Sequence, residues 1–263
     1  MVKRTSPINF RSMRDLLPDD AFLISGGPRP SPTDLVSEDV WNGIVGLPDH
    51  VALTTSSHYG SQLATLYKLW GDWLEAIGDD MDPLFGTMLD AVDCFQASHF
   101  DALHGYYRSA LSNLRAAMEL VAIGTLGNLE PNDPTYVRWK SKDATLAFPS
   151  CRGSLRRKTS EPISSALFKQ DGWVEKHYYA LCGYTHSRPS SSDGAMWRSN
   201  GPIYVGAVFN QVFQLQTKTY AIGYLMVKVG RPGFTIPKTS TCIFEPPIST
   251  DEVIQLYKML FDG

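Results

Sequence analysis

Polar side chains recur every three or four residues within a long apolar stretch: Asp101, His104, Arg108, Ser112, Arg115 and Glu119. At about 100° per residue these positions share roughly 80° of a helix circumference. Guanidinium, imidazole and carboxylate groups in one cluster can bind an anionic ligand or transfer protons. The same spacing also suits a solvent-exposed stripe in which Arg115 and Glu119 pair across one turn. Both interpretations remain open, with His104, Arg108, Arg115 and Glu119 as candidate ligand-binding residues.

A second candidate group lies where another predicted helix ends, at Tyr184 and His186. Cys182 and His186 share a helical face, but a nucleophile and a base four residues apart still need a third, orienting group. A structural histidine near a helix C-terminus is the simpler interpretation, because an imidazolium there complements the helix dipole. Additional ligands at metal-binding spacing are missing from the sequence, so no metal site is predicted.

A third candidate is a basic segment, in which residues 138–158 hold seven Lys or Arg against one acid, Asp143. The proposed nucleic-acid patch consists of Arg152, Arg156, Arg157 and Lys158. Trp139 and Phe148 are available for stacking on bases. A run of charge is also typical of ordinary solvated surface, and the whole chain has a formal net charge of −3.

The elements that position these residues are predicted to be helices. Residues 99–126 carry strong helix formers and apolar side chains on most faces, which indicates the central helix of an all-α bundle. The other core helices are predicted at 56–77, 83–126, 172–187, 202–229 and 250–261, with a kink or turn expected near Ser98. Short helices are predicted at 135–147, 152–159 and 162–169. These elements form one helical domain, 51–263.

The two ends of the chain and one internal loop are predicted to be irregular. Residues 1–50 are rich in Pro and Gly, which predicts an irregular arm packed on the body of the protein. A Ser- and Gly-rich loop is predicted at 187–201, and an extended wrap at 233–248 precedes the short terminal helix.

Composition and the lack of known catalytic motifs limit the functions that the sequence can support. The four cysteines are far apart in the sequence, which is typical of reduced thiols in a cytoplasmic protein. Neither a leader segment nor an apolar run long enough for a membrane span is expected. Nucleotide-binding glycine motifs, the zinc-protease motif and the esterase serine motif are missing from the sequence, and no cofactor is expected.

Two segments together resemble the HEPN-like helical proteins, which include abortive-infection relatives. They are ALHGYYRSALSNLRAAMELV at 102–121 and YYALCGYTHSRP at 178–189, within a similarity that spans about 82–230. The resemblance implies a helical bundle in which Arg115 and Glu119 match the long helix, with Arg108 before them. Tyr184 and His186 match the end of the later helix, which would face the first.

Active members of that family cleave RNA without a metal, using an Arg and a His, often across a dimer. Their Arg precedes the His by four to six residues, whereas here Arg188 follows His186. We therefore expect a non-catalytic member that binds a nucleotide or an RNA phosphate in microbial defence, and the resemblance implies a homodimer. The alternatives are a ribonuclease toxin with His186 as general base and Arg115 steadying charge, and a protein that oligomerises through aromatic faces.

Overall fold

The computed structural model describes residues 38–78, 82–142, 145–161, 163–185 and 201–241. The chain divides into two units between Asn42 and Gly43. In the first unit the described structure is a short helix, α1, at Glu38–Trp41. The predictions for residues 1–37, for 186–200 and for the terminal helix at 250–261 lie outside the described residues.

The second unit is built from helices. They are α2 (Leu47–Ala76), α3 (Pro83–Leu103), α4 (Tyr107–Leu129), α5 (Pro134–Lys140), α6 (Phe148–Lys158), α7 (Trp173–Thr185), α8 (Gly206–Gly230) and α9 (Lys238–Thr241). Five-residue π-helices occupy Asn42–Gly46 and Ser164–Phe168. The described ranges contain no strand, so the predicted all-α fold is confirmed. Across those same ranges, no helix has the length and apolar character needed to cross a bilayer.

Helix α2 begins nine residues before the predicted start at 56. Two hydroxyl groups just before residue 56 bond backward within the helix: Thr54 Oγ1 donates to the His50 carbonyl oxygen and Thr55 Oγ1 to that of Val51, both at 2.9 Å. Hydroxyl bonds of this kind satisfy the side chain without ending the helix, although they often bend it. Helix α2 does bend nearby, at Tyr59, where φ is −128° and ψ is 28°.

Helices α3 and α4 form an antiparallel hairpin around the turn His104–Tyr106. The stretch predicted as helical from 83 to 126 is thus interrupted, and the break lies six residues beyond the expected position at Ser98. Gly105 has a φ of +80°, which favours glycine. A Cβ on Gly105 would lie 2.6 Å from the backbone nitrogen of Ile203 and closer still to its oxygen. The turn therefore depends on a close approach by the segment before α8.

Hydrogen bonds made by side chains define the directions of the other core helices. Asn128 of α4 bonds to Gly230 of α8, and Tyr107 of α4 bonds to Val205 just before α8, so α4 and α8 are parallel. On α7, His177 meets Thr219 of α8 and Tyr184 meets Gln211, so α7 and α8 are antiparallel. Hence α4 and α7 also run antiparallel.

The core between α2, α3 and α8 is aromatic. Trp73 of α2 is fully buried and meets Phe95, Tyr220 and Phe234 edge-on, with ring centroids 5.4, 5.5 and 5.6 Å away. Phe95 and Tyr220 stack with a centroid distance of 4.0 Å. Edge-to-face and stacked pairs add roughly 0.5–1.5 kcal/mol each beyond their buried area. This cluster fixes α8 against the first two long helices.

Candidate functional site

The predicted polar stripe is divided between two helices. Asp101 lies in the last turn of α3 and His104 follows it, whereas Arg108, Arg115 and Glu119 belong to α4. Because α4 turns back along α3, the first two residues do not continue the row formed by the other three. The single ionisable face predicted for residues 101–119 is therefore corrected to two separate groups.

Asp101 and His104 are held by the α3–α4 turn. Asp101 Oδ2 accepts from Ser109 Oγ at 2.5 Å and from Asn113 Nδ2 at 2.9 Å, while burial raises the pKa of the carboxyl group. His104 Nδ1 lies 2.8 Å from the carbonyl oxygen of Phe100, and its ring packs on the Phe100 ring at 4.1 Å. The Asp101 bonds bridge the two helices, whereas the contacts of His104 are with α3 and give it a local, structural setting.

The central group of the site lies between α4 and α7, and we call it the α4–α7 cluster: Arg115, Glu119, Tyr178 and Cys182. Arg115 Nε is 3.5 Å from Glu119 Oε1, and the Tyr178 hydroxyl donates to the same oxygen at 2.7 Å. The two charged side chains retain 30% and 23% of their exposure. The face of α4 that carries the ion pair is thus half-buried against α7.

Tyr178 is the residue that fixes this arrangement. Its ring stacks on Phe148 of α6 with centroids 3.7 Å apart and planes 12° from parallel. Burial raises the pKa of the Tyr178 hydroxyl, and the hydrogen bond to Glu119 and that group's charge raise the pKa further, as does the nearby Cys182 thiol. The phenol consequently keeps its proton and acts as a donor to the carboxylate. It therefore serves as a positioning group.

Arg108 and Tyr184 lie at one end of the cluster. Because α4 and α7 are antiparallel, the first turn of α4 lies beside the last turns of α7. Tyr184 accepts from Gln211 Nε2 of α8 at 2.9 Å, which joins a third helix to this end. Arg108 is partly buried here. His186, the candidate general base, lies outside the described residues.

The predicted basic patch needs a correction at Arg152. Its Nη2 atom is 2.9 Å from Glu175 Oε1 on α7, and its Nη1 atom donates to the carbonyl oxygen of Phe168 at 2.7 Å. With 14% of the side chain exposed, Arg152 faces inward. Glu175 balances the charge of Arg152. A count of basic residues along the segment cannot detect this ion pair, because Glu175 lies on another helix.

The other members of the patch are at the surface. Arg156, Arg157 and Lys158 are exposed in the last turn of α6, where cations complement the helix dipole. Arg157 Nη2 donates to Ser154 Oγ at 2.9 Å, and Lys158 Nζ lies 2.7 Å from Glu130 Oε2. The exposed patch is therefore smaller than the sequence suggests.

His177 lies on the α8 side of α7 and is buried in its neutral form. Its Nε2 atom is 2.8 Å from Thr219 Oγ1, whose own proton goes to the Leu215 carbonyl oxygen, so Nε2 carries the imidazole proton. Burial, followed by the charge of Lys218, lowers the pKa of His177 to about 3. The Nδ1 atom is buried without a partner among the described residues.

This histidine predicts a specific pH dependence of stability. The unfolded chain takes up a proton at His177 below its ordinary pKa of about 6.5, whereas the folded chain does so only near 3, so the free energy of unfolding falls as the pH drops between these values. Urea unfolding should show a loss of about 2.5 kcal/mol from this group between pH 7.5 and 4.5. His177→Gln should remove that loss, while the exposed His50→Gln should retain it. Equal pH profiles for the two variants would contradict the assignment.

Two residues of the site were missed by the sequence analysis: Tyr178 and Gln211. A sequence pattern could have indicated Tyr178, because Tyr178, Cys182 and Thr185 recur at helical spacing on α7.

Among the described residues, no three His, Cys, Asp or Glu side chains come together as a metal site would require. Cys94, Cys151 and Cys182 form no disulfide with one another.

Comparisons with protein-family models, with curated proteins and with solved structures give no match to this chain.

Proposed function

We propose that the protein is a non-catalytic, HEPN-like cytoplasmic protein that binds an RNA or nucleotide phosphate through Arg115 and Arg108, with a role in microbial defence. The observation that carries the proposal is the position of Arg115: its side chain keeps 30% of its exposure and lies on the same face of α4 as Arg108. The 3.5 Å contact of Arg115 with Glu119 is longer than the 2.7–2.9 Å typical of charge-assisted hydrogen bonds. The carboxylate that makes this contact also accepts a hydrogen bond from the Tyr178 hydroxyl.

A phosphate group is an anionic partner that this guanidinium is suited to bind. Arginine binds phosphate oxygens with two parallel hydrogen bonds, and the half-exposed side chain is accessible from solvent. Arg108 stands two helical turns away on the same face of α4, about 10 Å along the axis. Two arginines at that separation can contact different phosphates of one strand, while Tyr184 offers a ring for stacking.

Fluorescence anisotropy with a labelled single-stranded RNA tests the proposal, with unlabelled ATP as competitor. Arg115→Met should weaken RNA binding about tenfold and reduce the slope of log K against log salt by about one. Arg138→Met removes an exposed arginine on α5 and should leave the affinity unchanged. Arg115→Lys keeps the charge without the paired donors and should bind with intermediate affinity.

Three results would decide against this function. Equal affinities for Arg115→Met and Arg138→Met, in proteins of similar thermal stability, would make the α4–α7 cluster purely structural. Cleavage of the labelled RNA by the wild type and its loss in His186→Ala would establish the ribonuclease alternative. A protein that neither binds RNA or ATP nor cleaves RNA, but sediments as an oligomer, would support the interaction-protein alternative.

A further inference from the structure

Two lysines lie side by side where α7 packs on α8. The contact between His177 and Thr219 places those two residues at the interface of the antiparallel pair. Lys176 is the residue before His177 on α7, and Lys218 is the residue before Thr219 on α8. Moving back one residue rotates the side chain by about 100° around each helix axis. Because the two helices are antiparallel, these rotations turn both lysines toward the same side of the pair, and the two lysines share one surface. This surface is distinct from the face of α7 that carries Tyr178.

Among the residues that the structure describes, no carboxylate forms an ion pair with these lysines. Glu175 is the one acidic residue in the sequence of α7, and α8 has none. Glu175 is already engaged, since Oε1 pairs with Arg152 and Oε2 accepts from the backbone nitrogen of Asp171 at 2.6 Å. Across the described part of the chain, the ion pairs involve neither Lys176 nor Lys218.

The charged form of Lys218 is destabilised by its surroundings. It is partly buried, and burial together with the charge of Lys176 lowers its pKa. Two like charges in a partly desolvated setting repel each other unless an anion lies between them. Gln214, exposed one turn before Lys218 on α8, adds a side-chain amide donor on the same stretch of surface.

We propose that Lys176 and Lys218, assisted by Gln214, form a binding site for a dianionic phosphate group, either inorganic phosphate or the end of a phosphomonoester. A phosphomonoester carries about −1.5 to −2 charges at pH 7, which matches two ammonium groups better than a carboxylate does. Its oxygens can accept hydrogen bonds from both lysines and from the amide. The site does not depend on the function proposed for Arg115.

Isothermal titration calorimetry with inorganic phosphate and with 5′-AMP tests this site. Wild-type protein should bind, and Lys218→Met should weaken binding about tenfold or more. Lys169→Met, which removes an exposed lysine outside the pair, should bind as the wild type does. Binding of both probes identifies any phosphomonoester as the ligand, whereas binding of inorganic phosphate alone restricts the site to the free ion.

Further measurements separate a specific site from a general salt effect. Lowering the pH from 7.5 to 5.5 should weaken phosphate binding as the dianion is protonated, with sulfate binding unchanged. Arg115→Met should retain phosphate affinity, which distinguishes this site from the α4–α7 cluster. In phosphate-free buffer Lys218→Met should be at least as stable to heat as the wild type, because repulsion is removed. Equal phosphate affinities for Lys218→Met, Lys176→Met and wild type would overturn the proposal.

Discussion

Replacing Gly105 by alanine is expected to destabilise the protein by about 3 kcal/mol or more. Two costs combine at this position. A residue with a Cβ loses roughly 1–2 kcal/mol in the left-handed conformation, here with φ of +80°. The added carbon would also overlap the backbone of Ile203, and overpacking of a tight contact typically costs 1–3 kcal/mol. Backbone atoms can move aside only if the segment before α8 shifts.

Gly86 on α3 provides the matched control for this substitution. It lies in the exposed interior of a helix, and a Cβ there would meet nothing within 4 Å. Gly86→Ala should therefore raise the free energy of unfolding by up to about 1 kcal/mol through helix propensity. Chemical denaturation of both variants measures the contrast. A Gly105→Ala protein as stable as wild type would show that the α3–α4 turn tolerates an ordinary residue.

Removing the Arg152 side chain is the second change with a large expected effect. Arg152→Met keeps the length of the aliphatic stem but leaves Glu175 buried without its ion-pair partner, with 12% of its side chain exposed. Breaking one side of a buried pair typically costs about 3–5 kcal/mol. The bond from Arg152 to the Phe168 carbonyl oxygen is lost as well, so the π-helix at Ser164–Phe168 should be released from α6.

A double-mutant cycle identifies the source of this cost. Glu175→Gln alone should also destabilise, while Arg152→Met combined with Glu175→Gln should be more stable than the sum of the two losses predicts. Arg156→Met, on the exposed side of the same helix, should change the free energy of unfolding by less than about 0.5 kcal/mol. Additive losses in the cycle would show that Arg152 and Glu175 act independently.

Periodic apolar residues and local caps were sufficient to predict much of the fold. Asp82 accepts from the Phe85 backbone nitrogen at 2.9 Å and Pro83 begins α3, as the sequence indicates. The position of the α3–α4 break could not be predicted in this way. Its position depends on Ile203, almost a hundred residues later in the chain, and local propensity carries no information about that contact.

In the candidate site, too, contacts within one helix could be predicted from the sequence, whereas contacts between helices could not. The contact of Arg115 with Glu119 follows from their spacing on one helix. The inward position of Arg152 depends on Glu175, and the setting of Glu119 depends on Tyr178 of another helix. Sequence spacing predicts pairs within a helix, whereas pairs between helices require knowing which helices pack together.

The short turn between α3 and α4 has a consequence for the order in which the protein folds. The hairpin it creates requires closure of a very small loop, and contacts of low sequence separation form early because they cost little chain entropy. Helix α8 supplies Tyr220 to the Trp73 cluster and the segment before it supplies Ile203 to the turn, yet both are synthesised about a hundred residues later. A nascent chain can thus begin to pair α3 with α4 on the ribosome, whereas the contact of the turn with Ile203 and the aromatic core are completed only after α8 has emerged.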